Sequence, residues 1–266
     1  MRVLLTNDDG IGAEGFACLR RIAAKLSNDV WISAPEAEQS GASRALTLTE
    51  PVRVRQIDAR SWAVSGTPTD CVMLAIQEFM ADGPPDLVLS GVNRGQNLAE
   101  DVTFSGTVAG ALQGMTLGVP SIALSQSLLN FHERGAVRFE VADVYGPGLI
   151  ARLVQLGWPA DVVMNVNFPD VAPEAVEGVE VTVQGRRDHH PMHFERRTDL
   201  RGRDYYWMGF RGKLSQPADG TDLRAVYEGR ISVTPLHVDL THLSTVHDLR
   251  GRLGGSVPRL QAESGR

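Results

Sequence analysis

Val3-Leu4-Leu5-Thr6-Asn7-Asp8-Asp9-Gly10 runs from an unbroken apolar stretch into an amide, two adjacent carboxylates and a glycine. A strand covered on both faces needs such a continuous run, whereas a half-exposed strand alternates apolar and polar residues. Helical spacing follows at Phe16, Leu19, Ile22, Ala23 and Leu26, and a second apolar run at Val30 to Ser33. Strand, helix, strand in that order is the βαβ unit of a parallel sheet. Further runs at Leu87 to Ser90, Ile122 to Ser125 and Val162 to Val166 repeat the theme, with Leu149, Leu153 and Leu156 supplying a helix before the last. The fold class expected is α/β, an open, three-layer, mainly parallel sheet through about residue 168. Val52 to Ile57 and Trp62 to Val64 read as a small antiparallel excursion about Asp58-Ala59-Arg60-Ser61.

Composition narrows the function classes. The 266 residues are 42% hydrophobic and 22% charged, which excludes disordered, collagen-like and coiled-coil chains. A net charge of −6 argues against general affinity for nucleic acid or an anionic membrane. The only cysteines, Cys18 and Cys71, fall in helix-like stretches, so neither a disulfide framework nor a cysteine zinc site is expected. The N-terminus turns acidic before a signal-peptide apolar region could form, and no apolar run approaches the roughly 18 residues of a membrane span. A cytoplasmic protein without a membrane partner is the expectation.

In a parallel α/β sheet, ligands bind beyond the carboxyl ends of the strands. Three exits carry oxygen ligands: Asn7-Asp8-Asp9-Gly10; the loop with Glu36, Glu38, Gln39, Ser40 and Gly41; and Gly91-Val92-Asn93-Arg94-Gly95-Gln96-Asn97 after the Leu87 strand. Adjacent carboxylates repel each other unless a cation neutralises them, and all-oxygen ligation suits a hard ion such as Mg²⁺ or Mn²⁺. Asp8 and Asp9 are therefore candidate metal ligands; the alternative is an Asx-type turn capping the next helix. Ser105-Gly106-Thr107-Val108-Ala109-Gly110-Ala111 opens a helix with small residues, which either cradle an anion on free N–H groups or pack the helix closely. It lacks the Gly-Lys-Ser/Thr of a P-loop. Thr67-Pro68-Thr69-Asp70 reads as a helix start. Asp188-His189-His190-Pro191-Met192-His193 reads as a polar turn rather than a zinc site, because Pro191 breaks the helix that ligand spacing requires. Between Arg186 and Arg211, arginines interleave with Phe194, Tyr205, Tyr206, Trp207 and Phe210; with the acidic net charge this favours a β-arm packing on a partner subunit over RNA contact.

Leu4-Leu5-Thr6-Asn7-Asp8-Asp9-Gly10-Ile11, Ser40-Gly41-Ala42-Ser43, Ser65-Gly66-Thr67-Pro68-Thr69-Asp70-Cys71, and Ser90-Gly91-Val92-Asn93-Arg94-Gly95 through Ser105-Gly106-Thr107 together resemble the SurE family of stationary-phase survival nucleotidases. Four separated motifs occur in order, and the resemblance extends to Asn165-Val166-Asn167-Phe168-Pro169, Thr221-Asp222 and Val233-Thr234-Pro235-Leu236. It implies a metal-dependent phosphatase that hydrolyses nucleoside 5′-monophosphates, often 3′-monophosphates, and sometimes short polyphosphate. The family's ligands for one divalent ion fall on Asp8, Asp9, Ser40 and Asn93. The resemblance also implies a Rossmann-like core, residues 1–168, and a C-terminal extension, residues 169–266, whose arm or helix is exchanged in homodimers that sometimes pair into tetramers. The loop from Leu128 to Arg138 and the tail after Arg250 are its most variable parts.

The mechanism expected is in-line attack of a metal-bound water on phosphorus, with Asp9 accepting the water's proton. Asn97 and the backbone of Ser105, Gly106 and Thr107 are expected to stabilise the phosphoryl oxygens. The rivals are a covalent phosphoenzyme on Asp8 or Asp9, a receiver-like signalling module, and a metal-dependent glycosyltransferase. The receiver reading requires a Lys after a later strand, and none follows Ile122-Ala123-Leu124-Ser125.

Overall fold

The computed structural model describes residues 1–128, 138–188, 192–210 and 214–253. The chain opens with β1 (Arg2–Thr6), α1 (Glu14–Leu26) and β2 (Asp29–Pro35), the first βαβ unit. The hairpin β3 (Val54–Asp58) and β4 (Ser61–Val64) follows, then α2 (Pro68–Leu74), which continues into a π-helical turn at Ala75–Phe79. Next come β5 (Leu87–Arg94), a 3-10 turn at Ala99–Thr103, α3 (Gly106–Thr116), β6 (Ser121–Gln126), α4 (Glu140–Leu156) and β7 (Val163–Phe168). The remainder holds β8 (Val179–Val181), β9 (Met192–Thr198), β10 (Asp204–Phe210), α5 (Asp222–Tyr227), β11 (Ile231–Leu236) and α6 (Leu243–Leu253).

Nine strands form one sheet in the order β3-β4-β2-β1-β5-β6-β7-β11-β8. All neighbours run parallel except β3 with β4 and β7 with β11. The unbroken apolar reading of β1 has a direct cause. Val3 and Leu5 enter the core shared with α1 and α4 through Phe16, Leu19, Ile22, Val141 and Ile150, while Leu4 enters the opposite core with Val72 and Met80. The expected excursion is the β3–β4 hairpin, whose second strand pairs parallel with β2.

Two expectations need correction. The Leu87 strand does not end at Ser90 but continues to Arg94, so Asn93 lies within β5 rather than in a loop beyond it. A register shift between Ser90 and Asn93, where Gly91 takes a φ of +139°, lets the strand resume pairing with β6 at Ser125 and Gln126. Nor does the sheet stop near residue 168: β11 adds antiparallel to β7, and β8 lies parallel beside β11. The arginine- and aromatic-rich stretch forms a separate two-stranded antiparallel hairpin, β9 with β10, whose Phe194, Tyr206 and Trp207 are exposed. His189, His190 and Pro191, most of the Leu128 to Arg138 loop, and the tail beyond Leu253 lie outside the described residues. Among the described residues no helix is long and apolar enough to cross a membrane.

Candidate active site

From β1 the chain departs to β2 on one side and later to β5 on the other, so the crevice at the carboxyl ends of β1 and β5 is the topological switch point of the sheet. Asn7-Asp8-Asp9-Gly10 fills it. Asn7 Nδ2 donates to the Gly10 carbonyl at 2.8 Å and closes the turn. Gly10, at φ +96°, lies against the backbone of Ala37, where a Cβ would come within 3.3 Å of the Ala37 carbonyl carbon.

Three other segments are tied to this turn. The Gln39 N–H donates to the Asp8 carbonyl at 2.7 Å, drawing in the loop with Glu38 and Ser40. The Arg94 N–H donates to Asp9 Oδ2 at 3.0 Å, which brings in the end of β5 with Asn93. Thr107 Oγ1 donates to Asp8 Oδ1 at 2.5 Å, fastening the first turn of α3. Asp8, Asp9, Ser40 and Asn93 are thus collected around one turn. They grade from buried Asp8, through partly exposed Asp9 and Asn93, to exposed Ser40, so one side of the cluster opens to solvent.

Gly106 shows why α3 begins with small residues. A Cβ there would lie 2.7 Å from Asp8 Cβ and 2.9 Å from Asp8 Oδ2. One and two turns on, Gly110 and Gly114 approach Thr6, Val88, Ser90 and Ser121 as closely. The close-packing explanation of this stretch therefore holds, and the closeness serves the site by setting the helix against the carboxylate. Ser105 caps α3 by accepting the Val108 N–H at 3.0 Å. The N–H groups of Gly106 and Thr107 have no partner inside the helix by its geometry. Thr67-Pro68-Thr69-Asp70 forms the expected capping box of α2.

The electrostatics follow from burial. Desolvation lifts the Asp8 carboxyl from its ordinary 3.8 to about 6, the Thr107 hydroxyl opposing and the Asp9 charge adding. Asp9 is also raised by burial; the Arg94 N–H opposes this and the Glu38 charge adds to it. Two carboxylates that ionise reluctantly, one neutral hydroxyl and one amide form an oxygen-only donor set that a hard divalent cation would relieve. Ser40 Oγ meets Glu38 Oε1 at 2.9 Å, and Asn93 Nδ2 donates to the Gly95 carbonyl at 2.9 Å, which orients the amide. Asn7 Oδ1, adjacent in the chain, is buried without a hydrogen-bond partner. Among the described residues no three His, Cys, Asp or Glu side chains group to hold a metal, so a cation here would rest on two carboxylates and neutral oxygens.

Asn97 sits deeper than expected for a residue facing only substrate. It is buried, its Nδ2 donates to Ser125 Oγ at 2.8 Å, and its backbone is held by Asn165 and Asn167 of β7. The sequence places these two asparagines in a segment that shares the resemblance but assigns them no role, and it assigns Thr107 a role through its backbone and not its hydroxyl. Asp222, likewise given no role, is fully buried and accepts the N–H groups of Ala99, Gly185 and Leu223 at 2.7–2.8 Å. Two amides within an otherwise apolar strand were the available signal for Asn165 and Asn167; Thr107 and Asp222, at the starts of helices, gave none. His237, His242 and His247 are exposed beyond β11.

A family model described as Survival protein SurE matches residues 3–191, which include every residue of this cluster. The chain belongs to the SurE family. A protein named 5′-nucleotidase SurE from Caulobacter vibrioides is 68% identical over 259 residues, covering 97% of this chain and 98% of that one. One of the same name from Phenylobacterium zucineum is 65% identical, covering 98% of this chain and 100% of its own length. The crystal structure of a SurE protein from Aquifex aeolicus superposes with a TM-score of 0.81 at 38% identity, covering 95% of this chain and all of that one. The SurE match ends at residue 191, but the whole-length likeness of these relatives takes in the region of β10, α5, β11 and α6 as well.

Proposed function

We propose that this protein hydrolyses nucleoside 5′-monophosphates to nucleoside and phosphate. The observation that carries the reading is the Asp8-Asp9 pair at the switch point, clasped by three segments, in a chain 68% identical to a protein named 5′-nucleotidase SurE. Asp8, Asp9, Ser40 and Asn93 would hold one divalent ion, Mg²⁺ or Mn²⁺. When bound, such an ion lowers the pKa of water and offsets negative charge on phosphoryl oxygens.

The chain's own residues divide the remaining work. Thr107 fixes Asp8 through Oδ1, so the carboxylate is oriented before any ligand arrives. Asp9 has one oxygen engaged by the Arg94 N–H and offers the other as acceptor for the proton of the attacking water. The Gly106 and Thr107 N–H groups at the start of α3, with the Asn97 amide, supply donors for the phosphoryl oxygens. An amide nitrogen carries two hydrogens, of which Asn97 gives one to Ser125.

The proposal extends to 3′-monophosphates and short polyphosphate as lesser substrates, since the donors described recognise phosphate and not the base. It places the protein in the cytoplasm, where its two buried free thiols match a reducing compartment. It also makes the protein a homodimer or tetramer joined through the β9–β10 hairpin, whose aromatics are exposed in the single chain. A panel of nucleoside 5′- and 3′-monophosphates, short polyphosphate and a non-nucleotide phosphomonoester, assayed for phosphate release with Mg²⁺ or Mn²⁺, tests the reading. Preference for 5′-monophosphates supports it; equal or greater turnover of the non-nucleotide ester contradicts it.

A further inference from the structure

Asn167 lies near the carboxyl end of β7, between β6 and β11, and is fully buried. Its strand neighbours Val166 and Phe168 belong to the apolar core, and an amide at such a position is unfavourable unless fully bonded. The carboxamide is spent on one residue. Its Oδ1 accepts the Asn97 N–H at 2.8 Å and its Nδ2 donates to the Asn97 carbonyl at 3.1 Å, so a side chain pairs with both backbone groups of one residue as a neighbouring strand would. Asn165, two residues earlier on the same face, donates to that carbonyl at 2.9 Å. A carboxamide offers a donor and an acceptor side by side without carrying charge.

The segment so gripped follows Asn93 by four residues, and its own conformation is not self-supporting. Two residues beyond Asn97, Ala99 holds a φ of +52°, which an L residue with a Cβ adopts only when its surroundings impose it. Its N–H is taken by buried Asp222 at 2.8 Å. The stretch from Asn93 to Ala99 is therefore shaped from outside, by β7 at Asn97 and by the region after β10 at Ala99.

We propose that Asn167 is a positioning residue for phosphate recognition, which acts through Asn97 by fixing the peptide that aims the Asn97 amide into the site. The inference rests on the hydrolase reading for its activity readout. The clamp itself is read by hydrogen exchange, which needs no turnover.

The experiment uses the full chain, with Asn167→Leu and the smaller Asn167→Ala each removing both bonds to Asn97. Exchange of the Asn97 amide, orthophosphate affinity and kcat for a nucleoside 5′-monophosphate are measured in parallel. In Asn167→Leu the Asn97 amide exchanges roughly tenfold or more faster while β1 and β6 amides keep their protection. Its kcat falls on the order of 10- to 100-fold, as for a catalytic group displaced by about an ångström, and orthophosphate binds more weakly. Asn167→Ala, which adds no bulk, shows the same faster Asn97 exchange and the same fall in kcat. Wild-type kcat in either folded variant, or unchanged Asn97 exchange in Asn167→Leu, overturns the proposal. If Asn167→Leu does not fold, Asn167→Ala decides by its Asn97 exchange and its kcat. If the wild-type chain releases no phosphate from any nucleotide, the hydrolase reading falls, and the exchange at Asn97 still decides whether the clamp exists.

Discussion

Neutralising Asp8 is expected to stabilise the metal-free protein while abolishing its chemistry. Asp8 is 4% exposed, and burial raises its carboxyl pKa from 3.8 to about 6 with the charge of Asp9 adding. Between those values the native protein keeps a proton that the unfolded chain has released. The stability contributed by the protonated group is complete below 3.8 and is lost as the pH climbs through about 6. At roughly 1.36 kcal/mol per pH unit, the loss at pH 7.5 is about 3 kcal/mol. Asp8→Asn cannot ionise, and its Oδ1 can still accept the Thr107 hydroxyl. Urea unfolding in EDTA at a series of pH values should therefore show the variant more stable than wild type by up to about 3 kcal/mol at pH 7.5. The difference should shrink toward zero near pH 4. Saturating Mn²⁺ should reverse the order, since only wild type gains from the bound ion. A variant less stable than wild type in EDTA at pH 7.5, or a difference that does not change with pH, would refute the reasoning.

Gly106→Ala places a Cβ 2.7 Å from Asp8 Cβ, so kcat for phosphate release should fall on the order of 10- to 100-fold; wild-type turnover in steady-state assays would mean that Asp8 yields without consequence. Thr107→Val removes the 2.5 Å bond that opposes the rise of the Asp8 pKa, and Mn²⁺ affinity at pH 6.5, followed by titration calorimetry, should weaken by roughly tenfold. Paired Tyr206→Ser and Trp207→Ser changes on the exposed hairpin should shift the sedimentation mass at micromolar concentration from oligomer toward monomer, and an unaltered mass would remove the hairpin from the subunit contact.

The parts of the fold legible in the sequence were those whose burial leaves a pattern. Val3, Leu4 and Leu5 read as a two-sided strand because cores lie on both sides of β1. The end of β5 was misread because Gly91 and Asn93 look like exit signals, whereas a register shift carries the strand past them. Ile231 to Pro235 looks like a strand, but its place beside β7 does not show. Its Ser232 and Thr234 are buried by bonding Thr182 at 2.7–2.8 Å, and a sequence presents such residues as surface alternation. The same limit governs the site. Asp8 and Asp9 declare themselves by adjacency, and Gly106 by its run of small neighbours. Thr107 reaches Asp8 across 99 residues, and Asn167 grips Asn97 across 70, through bonds with no periodicity to betray them. The Asp222 carboxylate that holds Ala99 is hidden likewise, since Thr221-Asp222 also reads as an ordinary helix start.

The central claim is that Asp8 and Asp9 hold a divalent ion with which this SurE chain hydrolyses nucleotides. Phosphate release from a nucleoside 5′-monophosphate by metal-stripped protein, with Mg²⁺ or Mn²⁺ added back, tests it most directly when wild type is run beside Asp8→Asn. The account predicts no release in EDTA, recovery with at least one of the two ions, and no recovery in the variant. Full release in EDTA, or equal recovery in Asp8→Asn, would contradict it.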